Sequence, residues 1–168
     1  MHTFDERYQN IAKALRNYII SEKFDIFKEN QDGMHYRYYT SISTSGMLIP
    51  IEITLSSYNE AISVCFYHDS VPEERIDITI QLINNINNLI RIQHFVVCPQ
   101  KEEDVVVLYS GVFISNFTFN ENAFRTIFYD AIKCAQAFFP LISEAIKSAG
   151  DLEEVISDFM NKMKIVQQ

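Results

Sequence analysis

The amino-acid sequence predicts an α+β domain, helices lying on an antiparallel sheet, in the order α-β-β-β-α-β-β-α. Apolar residues recur at three- and four-residue spacing in three separate stretches, near 4–21, 76–90 and 124–145. Between the first two, Ile49, Ile51, Ile53 and Leu55, then Ile62, Val64 and Phe66, alternate with more polar neighbours, as half-buried strands do. After the middle helix, Phe95 and Val97 mark a strand that turns through Lys101–Asp104 and returns as Val105–Ile114, apolar on both faces and so expected to be covered on both. A chain of 168 residues, 48% hydrophobic, can bury a proper core in a single domain spanning 1–168.

Helix one is expected over roughly 4–21. Thr3 and Glu6 have capping-box spacing, and Phe4, Tyr8, Ile11, Ala12, Leu15 and Ile19 share a face. Phe24–Lys28 reads as a short strand or as the exit of that helix. Glu29–Gly33 reads as a turn, its Asp32-Gly33 pair suited to a tight reversal. A first strand follows over Met34–Ile42, with Tyr36, Tyr38 and Tyr39 supplying apolar bodies to both faces. Ser43–Gly46 turns the chain into the Ile49–Leu55 strand, where Pro50, unable to donate to a ladder, points to an edge. Ser57–Glu60 makes the next hairpin connection.

The central helix is signalled by Ser70 and Glu73 as a capping box, with Pro72 and Glu74 in the first turn. Ile76, Ile80, Ile83, Ile86 and Ile90, widened by Leu82 and Leu89, form its stripe, and Asn84, Asn85, Asn87 and Asn88 form a polar back of mediocre helix formers. Asn120 is the expected N-cap of the last long helix, with Phe119 and Phe124 as a hydrophobic staple; Thr118 and Glu121 are a rival box. Its stripe runs through Phe124, Ile127, Phe128, Ala131, Ala135, Phe138, Ile142 and Ala145. Pro140 predicts a kink or short break there. Gly150 stops the helix, and Asp151 with Glu154 starts a short terminal one to about Lys162.

The run Val71-Pro72-Glu73-Glu74 entering LINNINNLI, then HFVVCPQKEEDVVVLYSGVFI, then FRTIFYDAIKCAQAFFPLISEAI resembles the YbjN family, named as bacterial sensory transduction regulators. The likeness covers roughly residues 4–146. His94 stands where that pattern suggests a glycine, and the chain adds a tail after Gly150. The resemblance implies a fold like that of type III secretion chaperones and a non-enzymatic regulatory or chaperone-like module binding protein or peptide segments. It brings no catalytic residues. Alternatives are a secretion-type chaperone for a specific client, or a self-associating homodimer without one.

The residues argue for the same class. A formal charge of −8 and a pI near 4.9 disfavour nucleic acid and anionic membranes, whose phosphates would repel the chain. Cys65, Cys98 and Cys134 are odd in number and lie in apolar surroundings, and no apolar run reaches the roughly 18 residues of a membrane span, so a reduced, cytoplasmic setting is expected. Only Cys65 with His68 has ligand-like spacing, with no second pair to complete a site; His2, His35 and His94 are scattered. The isolated glycines 33, 46, 111 and 150 make no phosphate-binding loop. Carboxylates at Glu102, Glu103 and Asp104 and at Asp151, Glu153, Glu154 and Asp158 read as solvated faces. No catalytic, cofactor-binding or metal-binding residue is expected, and no cofactor. The surplus isoleucine on the central helix points to a surface left for a partner, a second copy among the possibilities.

Overall fold

The structure is a computed structural model that describes residues 6–44, 46–90, 92–99, 104–148, 150 and 152–166. The expected Thr3 cap, Phe4, the Lys101–Glu103 part of the charged loop and the Asp151 cap lie outside them. The elements are α1 (Glu6–Ser21), β1 (Lys28–Gln31), β2 (His35–Thr44), β3 (Met47–Ser56), β4 (Ala61–Val71), α2 (Ile76–Asn87), β5 (His94–Cys98), β6 (Asp104–Phe113), α3 (Glu121–Lys147) and α4 (Leu152–Val166). The strands form a six-stranded sheet in the order β1-β2-β3-β4-β6-β5. This is the expected α+β class and order, with β1 added to its first strands and α4 after its last helix. The chain separates into two compact units, Met1–Phe66 with Tyr109–Asp130, and Tyr67–Leu108 with Ala131–Gln168.

In the first unit, β1, β2, β3 and β4 pair antiparallel, with Tyr38 opposite Ile53 and Ile51 opposite Phe66. Alternation sends Tyr38, Ile51, Ile53, Leu55, Ile62, Val64 and Phe66 to one buried face. Helix α1 lies on that face through Tyr8, Ile11, Leu15 and Ile19, and the Tyr38 hydroxyl donates to the Ala12 carbonyl at 2.8 Å. Phe66 and Phe24 meet Phe128 of α3 at ring separations of 6.1 and 5.2 Å. Helix α1 ends in a Schellman turn. Lys23 takes φ 65°, the Phe24 amide reaches Ile19 O at 3.2 Å, and the Lys23 amide reaches Ile20 O at 3.0 Å. That turn frees the chain to add β1: of the Glu29–Gly33 stretch expected as a turn, Glu29–Gln31 pair with Tyr36–Tyr38, and the reversal falls at 32–34, where the Asp32-Gly33 pair was expected to place it. Pro50 stands opposite Ser41 in an interior strand, so the expected edge at β3 is corrected. The ladder to β4 runs from Ile51, the residue after the proline, and there the missing N–H costs little.

Asn120 caps α3 as expected: its Oδ1 accepts from the Ala123 amide at 3.0 Å, and the Phe119 and Phe124 rings meet at a tilt with centroids 5.7 Å apart. The rival box is not used, because the Thr118 hydroxyl donates to Asn116 O.

In the second unit the entry to α2 differs from the capping box. Ser70 remains in β4; Pro72 is the N-cap of a 3-10 turn over Glu73–Arg75, with no side-chain cap, and α2 begins only at Ile76. The buried stripe is Ile78, Thr79, Leu82, Ile83 and Ile86. Ile80 and Leu89, expected inside, are 39% and 45% exposed. Asn87 is no part of a polar back. Its Nδ2 donates to Phe95 O at 2.9 Å and its Oδ1 accepts the Phe95 amide at 2.8 Å, clipping β5 to the end of α2.

Phe95 meets Phe138 and Phe139 edge-on at 6.0 and 5.7 Å, and His68 stacks on Phe139 at 4.5 Å with its Nε2 3.0 Å from the Phe139 carbonyl. Pro140 sits inside α3, which runs unbroken to Lys147, where a break was an expected alternative. Burial of Phe138, Phe139 and Ile142 around it supplies the packing that tolerates the lost hydrogen bond. Strand β6 is buried at Val106, Val107 and Leu108, but Tyr109 and Phe113 are 43% and 83% exposed, so two-sided cover holds only for its first half.

Candidate interaction surface

None of the three cysteines is in a disulfide. Cys134 is buried in α3, and desolvation pushes its thiol up to about 12. Cys65 and Cys98 are half-buried, a correction for Cys98, which lies on an edge strand. Among the described residues no group of three or more His, Cys, Asp or Glu side chains is placed to hold a metal ion. Glu153 and Asp158 lie exposed on α4, and Glu102 and Glu103 lie outside the described residues. The strand tyrosines divide. Tyr38 is a core residue, and Tyr39 is half-buried, with Lys28 Nζ 5.2 Å from its ring. They do not form a single stacking platform.

The turn end of the first unit gathers a different set. Met34, Tyr58 and Phe113 are exposed by 42%, 78% and 83%, large values for apolar side chains. Backbone hydrogen bonds tie their segments together: the Ser57 amide reaches Met34 O at 2.9 Å, and the Ile114 amide reaches Glu60 O at 2.7 Å. The β1–β2 turn carrying Met34 is fastened by Asp32, whose Oδ1 accepts the Met34 and His35 amides at 3.0 and 2.9 Å while Oδ2 takes the Arg37 guanidinium. Those contacts, the Met34 amide foremost, hold the carboxyl well below the usual carboxylate range. The β3–β4 turn carrying Tyr58 is closed by the Ser56 hydroxyl accepting the Asn59 amide at 3.2 Å, with Glu60 at φ 49°.

On β6, Gly111 stands where a side chain would be crowded. A Cβ there would lie 3.2 Å from Ile62 O and 3.7 Å from the Tyr109 hydroxyl, so the Tyr109 ring leans along the strand over the glycine. The Ser115–Thr118 hairpin continues the rim. Its central residues Asn116 and Phe117 both have positive φ, 54° and 51°, the geometry of a primed turn but costly for phenylalanine. Phe117 is held there by Tyr8 edge-on at 5.9 Å and by the Arg7 guanidinium 4.1 Å above its ring.

Sequence reasoning missed this end of the molecule. Each of its apolar residues sits singly in a turn or at a strand end, where no periodicity marks it. The signal available was an exposed aromatic in each of two polar turns, Tyr58 in SSYNE and Phe117 in SNFTF.

No family model matches the sequence, and neither does any curated protein. The crystal structure of YbjN from E. coli, a provisionally assigned transcription regulator, is similar in fold. The match has a TM-score of 0.55 at 10% sequence identity, and covers 74% of this chain and 84% of that one. This is a likeness of fold. Among the described residues no helix is long and apolar enough to cross a membrane.

Proposed function

We propose that the protein is a non-enzymatic regulatory module of the cytoplasm that binds another protein through the turn end of its first unit. The observation that carries this reading is the set Met34, Tyr58 and Phe113, three large apolar side chains held exposed on two turns and a strand end whose segments backbone hydrogen bonds tie together. Exposed aromatics on a rigid frame anchor interfaces at low entropic cost, because few torsions remain to be ordered. The provisional assignment of the similarly folded YbjN as a transcription regulator fits a regulatory role. A net charge of −8 favours reaching that role through a protein rather than through DNA contact.

Affinity capture from the native cytosol, with parent protein beside Tyr58→Asp and Phe113→Asp variants, tests the proposal. The parent should retain a defined partner that both variants lose, with melting temperatures unchanged. A partner retained equally by all three would overturn the assignment of this surface.

Self-association is the second reading, and β5 favours it. This edge strand, HFVVC, carries no carboxylate, lysine or proline, and exposed Val96 and Ile92 flank its pairing edge at 39% and 57%. The opposite edge, β1, is KENQ and wholly exposed. Sedimentation at micromolar concentration showing only a 19.6 kDa species would rule the dimer out.

A further inference from the structure

The last residue of α2, Asn87, lies against the free edge of the sheet. In a strand each residue points its N–H and C=O to the same side, and successive residues alternate. Phe95 gives both of its groups to the Asn87 carboxamide, its amide donating to Oδ1 at 2.8 Å and its carbonyl accepting from Nδ2 at 2.9 Å, so both face away from β6 and toward the open side of β5. A carboxamide presents one acceptor and one donor side by side, as a residue of an antiparallel neighbour does at that point of a ladder. Asn87 thus stands in for a strand residue at a single position. Alternation turns the N–H and C=O of Val97 to the same open side, beyond the two bonds that Asn87 makes.

We infer that the outer edge of β5 accepts a strand from a second copy of this chain, and that the Asn87 carboxamide competes with that copy for Phe95. The inference rests on the second reading above, self-association through β5, and adds the contact that regulates it. The occupant follows from the sequence of the strand. Antiparallel pairing about a two-fold axis at Val96 sets Phe95 opposite Val97 of the second copy, His94 opposite Cys98 and Val96 opposite itself. Phe95 and Val97, the residues whose backbone faces outward, then exchange hydrogen bonds across the axis. No position sets like charges face to face, whereas a net charge of −8 makes the chain as a whole repel its copy. The exposed side chain of Val96 packs on its own copy at the axis.

The test is sedimentation of the full-length chain with and without Asn87→Ala, beside hydrogen exchange of the Val97 amide. With the competing carboxamide gone, the variant should associate about ten-fold more tightly than the parent. Protection of the Val97 amide should rise with protein concentration, and Val96→Lys, which sets lysine against lysine at the axis, should abolish both effects. A folded Asn87→Ala chain that associates no more tightly than the parent overturns the inference, and so does association that Val96→Lys leaves unchanged. If the alanine variant does not fold, Asn87→Gln, whose carboxamide stands one methylene too far out to close on Phe95, takes its place with the same outcomes. A parent that stays a 19.6 kDa species beside an associating variant ends the self-association reading for the native chain and leaves the inference standing.

Discussion

Helices α3 and α4 are adjacent in sequence and similarly amphipathic, yet they are held by different physics. From Phe124 to Ile146 every turn of α3 buries at least one side chain, its start is capped by Asn120, and its aromatic residues interlock with others on both strands and helices. Helix α4 has two buried anchors within 153–162, and its polar contacts are surface ion pairs, each worth about 0–1 kcal/mol. An apolar stripe thus says that a helix packs, while the number of fully buried positions along it says how firmly.

The comparison can be broken most sharply at Phe139, fully buried between His68 and Phe95. Phe139→Ala should cost about 3–5 kcal/mol, read as a shift in denaturant midpoint. A parent-like midpoint would mean that α3 is no more essential than α4. The next effect is at the cap. Asn120→Ala should cost about 1 kcal/mol, with exchange faster only in the first turn of α3. Pro140→Ala restores an N–H to a helix that already runs through that position, so stability should stay within about 1 kcal/mol of the parent. A larger loss would show that the proline shapes the packing of Phe138 and Ile142.

The smallest effect belongs to a contact of the α4 kind, the Asp32 carboxylate. Its folded pKa lies below its unfolded value, so its contribution is present above the ordinary carboxylate range, near pH 4, and is lost as pH falls toward the folded value. The Met34 and His35 amides should therefore lose protection only as the pH falls below the ordinary carboxylate range, and Asp32→Asn should remove that pH dependence.

Much of the fold was legible because it follows from periodicity. The Ile49–Leu55 alternation, the α3 stripe and the Asn120 cap each stand as the residues predict. What was not legible came from choices between local signals of similar strength. Ser70 could cap a helix or extend a strand, and it extends β4, so α2 starts only at Ile76. The run at Glu29 has turn residues but finds a partner strand in β2, a pairing only tertiary contact decides. Asn87 looks like one of four equivalent asparagines. Only the nearness of the Phe95 backbone makes it a clip. The exposed aromatic end was hidden for the same reason, since its members come from four separate turns and strand ends.

The two compact units are each assembled from two separated stretches of chain, with β4, β6 and α3 passing from one to the other. During vectorial synthesis this imposes a schedule. The first unit lacks its Tyr109–Asp130 portion until the ribosome has passed that point, so the nascent β2–β3–β4 meander waits with Ile51, Ile53 and Phe66 unsheltered by α3. The second unit waits longer, because Phe95 and His68 find Phe138 and Phe139 only when most of the message has been read. A nascent chain stalled near residue 108 would present strands without their long helix, the state in which chaperones and proteases find their substrates.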